Sequence, residues 1–296
     1  MNLRRSCVLA CACTASMCCQ TLQPLRTELE SKSRQIGLAL LLESYEIGVC
    51  PFVGPCFWRK LRSGSARPTA TPDGKRIIWV TQGPPYTSSI EMEEIGGSTI
   101  RGQSVPYWLD ILAVSSDEPP KIAFASNLTE LRYGAWNRPS SHAIEGMGPI
   151  DHSAGWSVDG TRLAFGRNGM IRMLDIRSNR VDAIDSGMDP SWSPDGRWIV
   201  YRTMGNHAIL FSPRSGEKKR ILENRELAPL PLRWSPDSRY LAYVERRDQI
   251  TSQLSVFRVQ DNAIQMVTPF SPIISYITNW SWIIDYKGFC RECSPK

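Results

Sequence analysis

Residues 190–201 read PSWSPDGRWIVY, and near copies of this stretch return three times: GWSVDGTRLAF at 155–165, RWSPDSRYLAY at 233–243 and TPDGKRIIWV at 71–80. In the fullest copy Pro194 presets the backbone for a turn, Asp195 bonds back to its own backbone, and Gly196 takes the left-handed conformation that closes the turn. Aromatic and β-branched residues then alternate between faces, the pattern of a half-buried strand. Turn followed by strand is the repeating unit.

The anchoring carboxylates Asp73, Asp159, Asp195 and Asp237 are separated by 86, 36 and 42 residues, and 86 is twice 43. A period of about 40 residues is what one four-stranded propeller blade occupies. The double interval implies either one degenerate blade or one blade with a long insertion. Further strand-like runs follow each unit: MIRMLDI and VDAI after Phe165, HAILFS and RIL after Tyr201, QLSVFRV and AIQMV after Tyr243. The breaks between them are rich in Gly, Asn, Ser and Asp, as hairpin connections are. The expected fold is all-β, a β-propeller of five or six four-stranded blades over residues 68–296. A leader at 1–25 and a short helix with linker at 26–67 are expected before it.

The repeat resembles that of the TolB-like propellers, in which Trp-Ser-Pro-Asp-Gly is followed by Lys or Arg and a strand ending in Ala-Phe or Ala-Tyr. The resemblance rests on residues 156–165, 192–201 and 234–243, with a weaker copy at 71–80 that lacks the Trp-Ser, and it spans about residues 68–285. Val158 replaces the proline, Ser238 replaces the turn glycine, and NWSWIIDY at 279–286 keeps Trp280, Ser281 and a displaced Asp285. The resemblance implies a fold and leaves function open, because the same repeat builds periplasmic binding modules and the propeller domains of prolyl oligopeptidase-like enzymes. The Trp and Asp of each copy read as packing and turn residues.

Composition agrees with one large globular domain: 296 residues, 42% hydrophobic, with 21 Gly, 21 Pro and 10 Trp. The net charge of +6 is uneven, with +4 in residues 1–65 and +2 in the remainder. The repeat region is therefore nearly neutral and has no basic run with interleaved aromatics, which argues against a nucleic-acid partner. MNLRR followed by SCVLACACTASMCC has the charged-then-apolar order of a secretory signal, and VLAC loosely matches a lipoprotein box ending at Cys11. The expected location is the periplasm or cell envelope, with membrane contact only through such an N-terminal anchor. The alternative is an unstructured leader on a cytoplasmic protein. IGLALLL at 36–42 is too short for a membrane helix and, flanked by polar residues, reads as part of a short helix beginning near Thr27. RKLRSGSARPTATPDG at 59–74 then reads as a linker.

The chain carries no Gly-x-Ser-x-Gly elbow, P-loop, Gly-x-Gly-x-x-Gly or His-Glu-x-x-His. Its three histidines are His142, His152 and His207, which fall in a loop, a loop and a strand start. The most site-like piece is residues 137–155, a long connection carrying His142, Glu145, Asp151 and His152. These four are the candidate ligand-binding residues; no catalytic residue, metal ligand or cofactor is assigned. Two function classes follow. One is a non-catalytic, monomeric binding propeller with a protein, peptide or saccharide on its face or channel mouth. The other is an enzyme with its site in the propeller mouth, or a peptidase propeller separated from its hydrolase domain. Because an open ring leaves sheet edges exposed, closure is expected to combine both chain ends. That would bring Cys50 and Cys56 near Cys290 and Cys293, as a disulfide clamp, a structural zinc site or unpaired thiols.

Overall fold

The computed structural model of the chain describes residues 36–42, 46–51, 57–60, 65–84, 86–95, 97–126, 130–144, 153–205, 207–248, 251–266, 277–284 and 294–295. They build five four-stranded antiparallel blades in chain order. The first contains Ser65–Ala70, Arg76–Gly83, Thr87–Glu94 and Thr99–Val105; the second Leu109–Val114, Lys121–Ser126, Glu130–Ala135 and Arg138–Ala143. The third contains Ala154–Trp156, Arg162–Arg167, Met170–Asp175 and Arg180–Ser186; the fourth Met188–Trp192, Ile199–Arg202, Ala208–Phe211 and Lys218–Ile221. The fifth contains Arg233–Trp234, Tyr240–Arg246, Ser252–Arg258 and Ile264–Met266.

A further sheet closes the ring from both chain ends. Its order is Ile277–Ile284, Ile36–Leu42, Glu46–Pro51, Phe57–Lys60 and Ser294–Pro295, and Leu38 faces Trp282 in antiparallel register. Closure by joined ends is thus as expected, but two readings of the N-terminal region are corrected. Ile36–Leu42 is a strand, because the partner strand at Ile277–Ile284 decides what a seven-residue apolar run alone leaves ambiguous. The stretch read as a linker contains the end of Phe57–Lys60 and the innermost strand of the first blade, Ser65–Ala70. Cys50 lies in Glu46–Pro51, paired with Leu38; Cys56, Cys290 and Cys293 lie outside the described residues.

The structure also decides the double interval. The second blade carries a degenerate unit, SSDEPPKIAFA at 115–125, whose Asp117 stands 44 residues after Asp73 and 42 before Asp159. Ser115 Oγ donates to Asp117 Oδ2 at 3.1 Å and accepts from Lys121 N at 2.8 Å. The same arrangement recurs in each blade. Thr71, Ser157, Ser193 and Ser235 donate to Asp73, Asp159, Asp195 and Asp237 at 2.5 to 2.6 Å, and each accepts the backbone N–H five residues on. The hydroxyl two residues before each aspartate therefore holds both sides of the turn.

The second strand of a blade is sandwiched by the neighbouring blades, so Ile199–Arg202 is buried at every position and Tyr240–Arg246 at all but the last. The half-buried reading is corrected accordingly: both faces are apolar because both are covered. The core lies between blades. Phe165, Leu163 and Trp156 of the third pack with Ala123 and Leu131 of the second, and Tyr201 and Ile199 of the fourth pack with Ala164 and Ile171 of the third.

Candidate functional site

Strands alternate in direction, so the repeat turns emerge at one end of the ring, and the second-to-third-strand hairpins and blade-to-blade connections emerge at the other. The two ends differ. At the turn end, neighbouring turns touch: Asp195 N–H donates to Ser238 Oγ at 2.9 Å, and Lys121 Nζ donates to Gly160 O at 3.2 Å while pairing with Asp117 at 2.8 Å. Ser238 takes the place of glycine at φ 59°. Its hydroxyl does what a glycine cannot.

A central cavity of about 60 Å³ lies among the innermost strands where they enter the repeat turns, lined among others by Trp156, Trp192, Trp234 and Trp282. Trp234 Nε1–H donates to Ser191 O at 3.1 Å and Trp282 Nε1–H to Arg233 O at 2.9 Å, each reaching the preceding blade. Trp282 therefore occupies the place that Trp234 holds in its blade. The counterpart of the repeat tryptophan in NWSWIIDY is Trp282, not Trp280, and Asp285 then stands at the regular spacing of three residues.

Ionisable groups near the channel are committed to structure. Asp189, buried at φ 58°, accepts from Ser153 Oγ at 3.1 Å and from Arg202 Nη2 at 2.6 Å. Burial pulls the Arg233 guanidinium down to about 10, with Asp189 acting in the opposite direction; it stays charged at neutral pH. In the fifth blade Glu245 accepts from Arg225 at 3.2 Å and from Gln253 at 3.2 Å. Among the described residues no group of three or more His, Cys, Asp and Glu is placed to hold a metal ion.

Of the sequence candidates, His142 lies in the strand Arg138–Ala143, paired with Tyr133, and not in a loop. Glu145, Asp151 and His152 lie outside the described residues. Their flanks are anchored, with Ile144 N–H on Leu131 O at 3.1 Å and Ser153 on Asp189. His207 immediately precedes the strand Ala208–Phe211, with Nδ1 3.2 Å from Gly205 O.

The connection end carries what the sequence reading missed. Tyr86, Trp108 and Met204 are 69%, 42% and 72% exposed, and all three emerge there. Tyr86 and Trp108 line a mostly apolar cleft of about 440 Å³ with Gln82, Gly83 and Pro84. Their signal in the sequence is aromatic residues within turn segments, PPY at 84–86 and PYW at 106–108.

No family model and no curated protein matches the chain. Solved structures do. TolB from Acinetobacter baumannii superposes with a TM-score of 0.64 at 16% identity, over 84% of this chain and 66% of that one. The chain has a TolB-like propeller fold. It thus spans just under two thirds of the length of that TolB. A TolB-type protein from Agrobacterium tumefaciens gives 0.56 at 14% identity, over 79% of this chain and 88% of that one. A chain from a nidogen/laminin complex gives 0.64 at 10% identity, over 84% and 99%.

Proposed function

We propose that this TolB-like propeller is a non-catalytic binding module that recognises a protein partner at the end formed by its blade-to-blade connections. The observation that carries the reading is the asymmetry of the two ends. Three large side chains, Tyr86, Trp108 and Met204, are exposed at the connection end, two of them lining one surface, whereas the turn end exposes Val158 and its repeat carboxylates are each bonded by a hydroxyl of their own turn. Exposed apolar residues clustered on one face of a rigid scaffold mark interaction surfaces, and aromatic and methionine side chains are the types enriched in such interfaces. The internal pairing of buried Asp189 and Glu245 favours binding over turnover. Similarity to a propeller crystallised in a nidogen/laminin complex agrees with a protein partner. Location in the cell envelope, as a monomer, is part of the proposal; its support is the charged-then-apolar order of residues 1–19 and the resemblance to TolB.

The test is capture from an envelope extract of the native source with the wild-type chain and a Trp108→Ala/Met204→Ser variant. A partner held by the first and lost by the second, at unchanged melting temperature, supports the reading. Equal capture by both moves the interface away from this end. Turnover that is abolished by His142→Ala or His152→Ala overturns the non-enzyme assignment.

A further inference from the structure

The tryptophans that line the central cavity divide into two pairs. Trp234 and Trp282 use their indole N–H groups on the preceding blade. Trp156 and Trp192 are as deeply placed, 3% and 8% exposed, but their buried indole N–H groups have no acceptor among the described residues. Leaving a buried donor unbonded costs about 1–3 kcal/mol, and most such groups in folded proteins are satisfied. Two of them on one lining make the cavity rich in donors and poor in acceptors.

Charge points the same way. Among the described residues of the lining Arg233 alone is ionisable; the others are Trp, Thr, Ser, Pro, Ala, Val and Gly. Arg233 lies deep in the ring, where burial lowers its guanidinium, yet part of its surface stays uncovered beside the cavity. Asp189 opposes the effect of burial from outside the lining. Its carboxylate already accepts two N–H bonds from Arg202, at 3.0 and 2.6 Å, and the Ser153 hydroxyl at 3.1 Å. One carboxylate thus serves two guanidinium groups, and the balance among these three side chains is one positive charge. A guanidinium presents five N–H donors in a planar fork, so it can take an anion beside its other partners.

We propose that the central cavity binds one small monovalent anion, a halide or a carboxylate the size of formate, with Arg233 as its counter-charge and the indole N–H groups of Trp156 and Trp192 as donors. Such an ion supplies both things the lining lacks, an acceptor and one negative charge; water supplies the first alone. One water needs about 10–15 Å³ of such space, so a cavity of about 60 Å³ has room for the ion. A divalent oxyanion over-matches the single charge. Trp282 of the closing strand donates to Arg233 O at 2.9 Å, so an ion held on Arg233 braces the ring where its two ends join. The site stands apart from the protein-binding reading, which concerns the other end of the ring.

The test uses the tryptophans of the cavity as reporters. Iodide quenches indole fluorescence on contact, so the purified full chain is titrated with iodide at an ionic strength held constant with sulfate, and formate is then exchanged for sulfate as competitor. Saturable quenching that formate reverses supports the proposal when it is also at least about tenfold weaker in Arg233→Gln, the loss expected on removing hydrogen bonds to a charged group. Quenching that rises without saturating, or that is equal in Arg233→Gln, overturns it. Formate no more effective than the sulfate it replaces also overturns it. Should Arg233→Gln fail to fold, bromide-soaked crystals of the wild type decide. An anomalous peak in the cavity within hydrogen-bond distance of Arg233 supports the proposal, whereas peaks on the outer surface alone, an adventitious ion only, overturn it.

Discussion

Val158 Cγ1 lies 2.9 Å from where a Cβ on Gly196 would sit, so the turn of the third blade rests on the glycine of the fourth. Gly196 also has φ 72°. Val158 is half exposed and can yield, so most of the cost of adding a side chain should come from the backbone, about 1–2 kcal/mol for a residue other than glycine in this region. Gly196→Ala is expected to lose about that much in urea unfolding. Gly216, at φ 74° with nothing within 4 Å of its would-be Cβ, provides the comparison. Gly216→Ala should cost nearly as much, and a far larger loss at Gly196 would mean that Val158 cannot move.

Gly155 presents the opposite case. Its φ is not in the left-handed region, but a Cβ there would sit 3.0 Å from Trp192 N and 3.2 Å from Ser191 Cα, both backbone atoms of the next blade. Neither can rotate away. Gly155→Val is therefore expected to force the third and fourth blades apart and to destabilise by about 2 kcal/mol or more, exceeding Gly196→Ala. Equal stability of Gly155→Val and wild type would show that the innermost strands slide freely.

What could be read from the sequence follows from how local each device is. The turn of residues 193–198 is held by Ser193 and Asp195 within its own span, so its words survive duplication and announce the blades. The second blade is hidden because Val114 stands where three other copies have tryptophan and Glu118-Pro119 where the others have Gly74-Lys75, Gly160-Thr161, Gly196-Arg197 and Ser238-Arg239; the Ser-x-Asp core alone keeps the turn. Ile36–Leu42 reads as helix because one of its two strand partners lies more than 200 residues away, and the near one, Glu46–Pro51, carries no strand pattern strong enough to announce the pair. In NWSWIIDY the local word Trp-Ser pointed to Trp280, and only the hydrogen bond to Arg233 O shows that Trp282 is the counterpart. The exposed pair Tyr86 and Trp108 has no motif at all; it is defined by two segments that meet in space.

Tyr201, fully buried in the fourth blade, donates its hydroxyl to Asp185 of the third at 2.5 Å, and Lys218 of the fourth pairs with the same carboxylate at 2.7 Å. Burial and this carboxylate raise the phenol far above its ordinary range. Tyr201→Phe removes one of two side-chain bonds and leaves Asp185 its lysine, so the expected loss is about 1–2 kcal/mol. Lys218→Met in the same background should cost more than in the wild type, because it strips the last side-chain partner from a carboxylate then left with only the Ser186 backbone N–H. Additive losses in that double-mutant cycle would show that the two contacts do not share Asp185.

Acid should loosen the same seams. Burial raises the Asp185 carboxyl, but Lys218 and Tyr201 outweigh it and hold it below its usual value. The Ser157 hydroxyl lowers Asp159, and Ser193 with Arg197 lowers Asp195 against the effect of burial. With folded values below the unfolded one of about 3.9, their stabilisation is complete above about pH 4 and disappears as pH falls through the lowered values. Stability between pH 4 and 2 should thus decline more steeply in the wild type than in Asp195→Asn. Parallel slopes for the two proteins would remove Asp195 from the account.

Ring closure gives the largest expected effect. Ile277–Ile284 pairs with Ile36–Leu42, and its Trp282 is 3% exposed, stacks on Tyr240 at 6.5 Å between ring centres and donates to Arg233 O of the fifth blade. One strand thus joins the start of the chain to its last full blade. Removing residues 277–296 would unpair the edge of Ile36–Leu42 and uncover the flank of the fifth blade, and open edges of this kind pair with other chains. The truncated protein is expected to self-associate on size-exclusion chromatography and to lose its single cooperative unfolding transition. A milder change separates closure from bulk. Trp282→Phe keeps an aromatic ring but loses the bond to Arg233, so it should cost about 1 kcal/mol more than Trp192→Phe, whose indole N–H has no acceptor among the described residues. A truncated chain that stays monomeric and unfolds in one step would show that the five blades hold their ring without the closing strand.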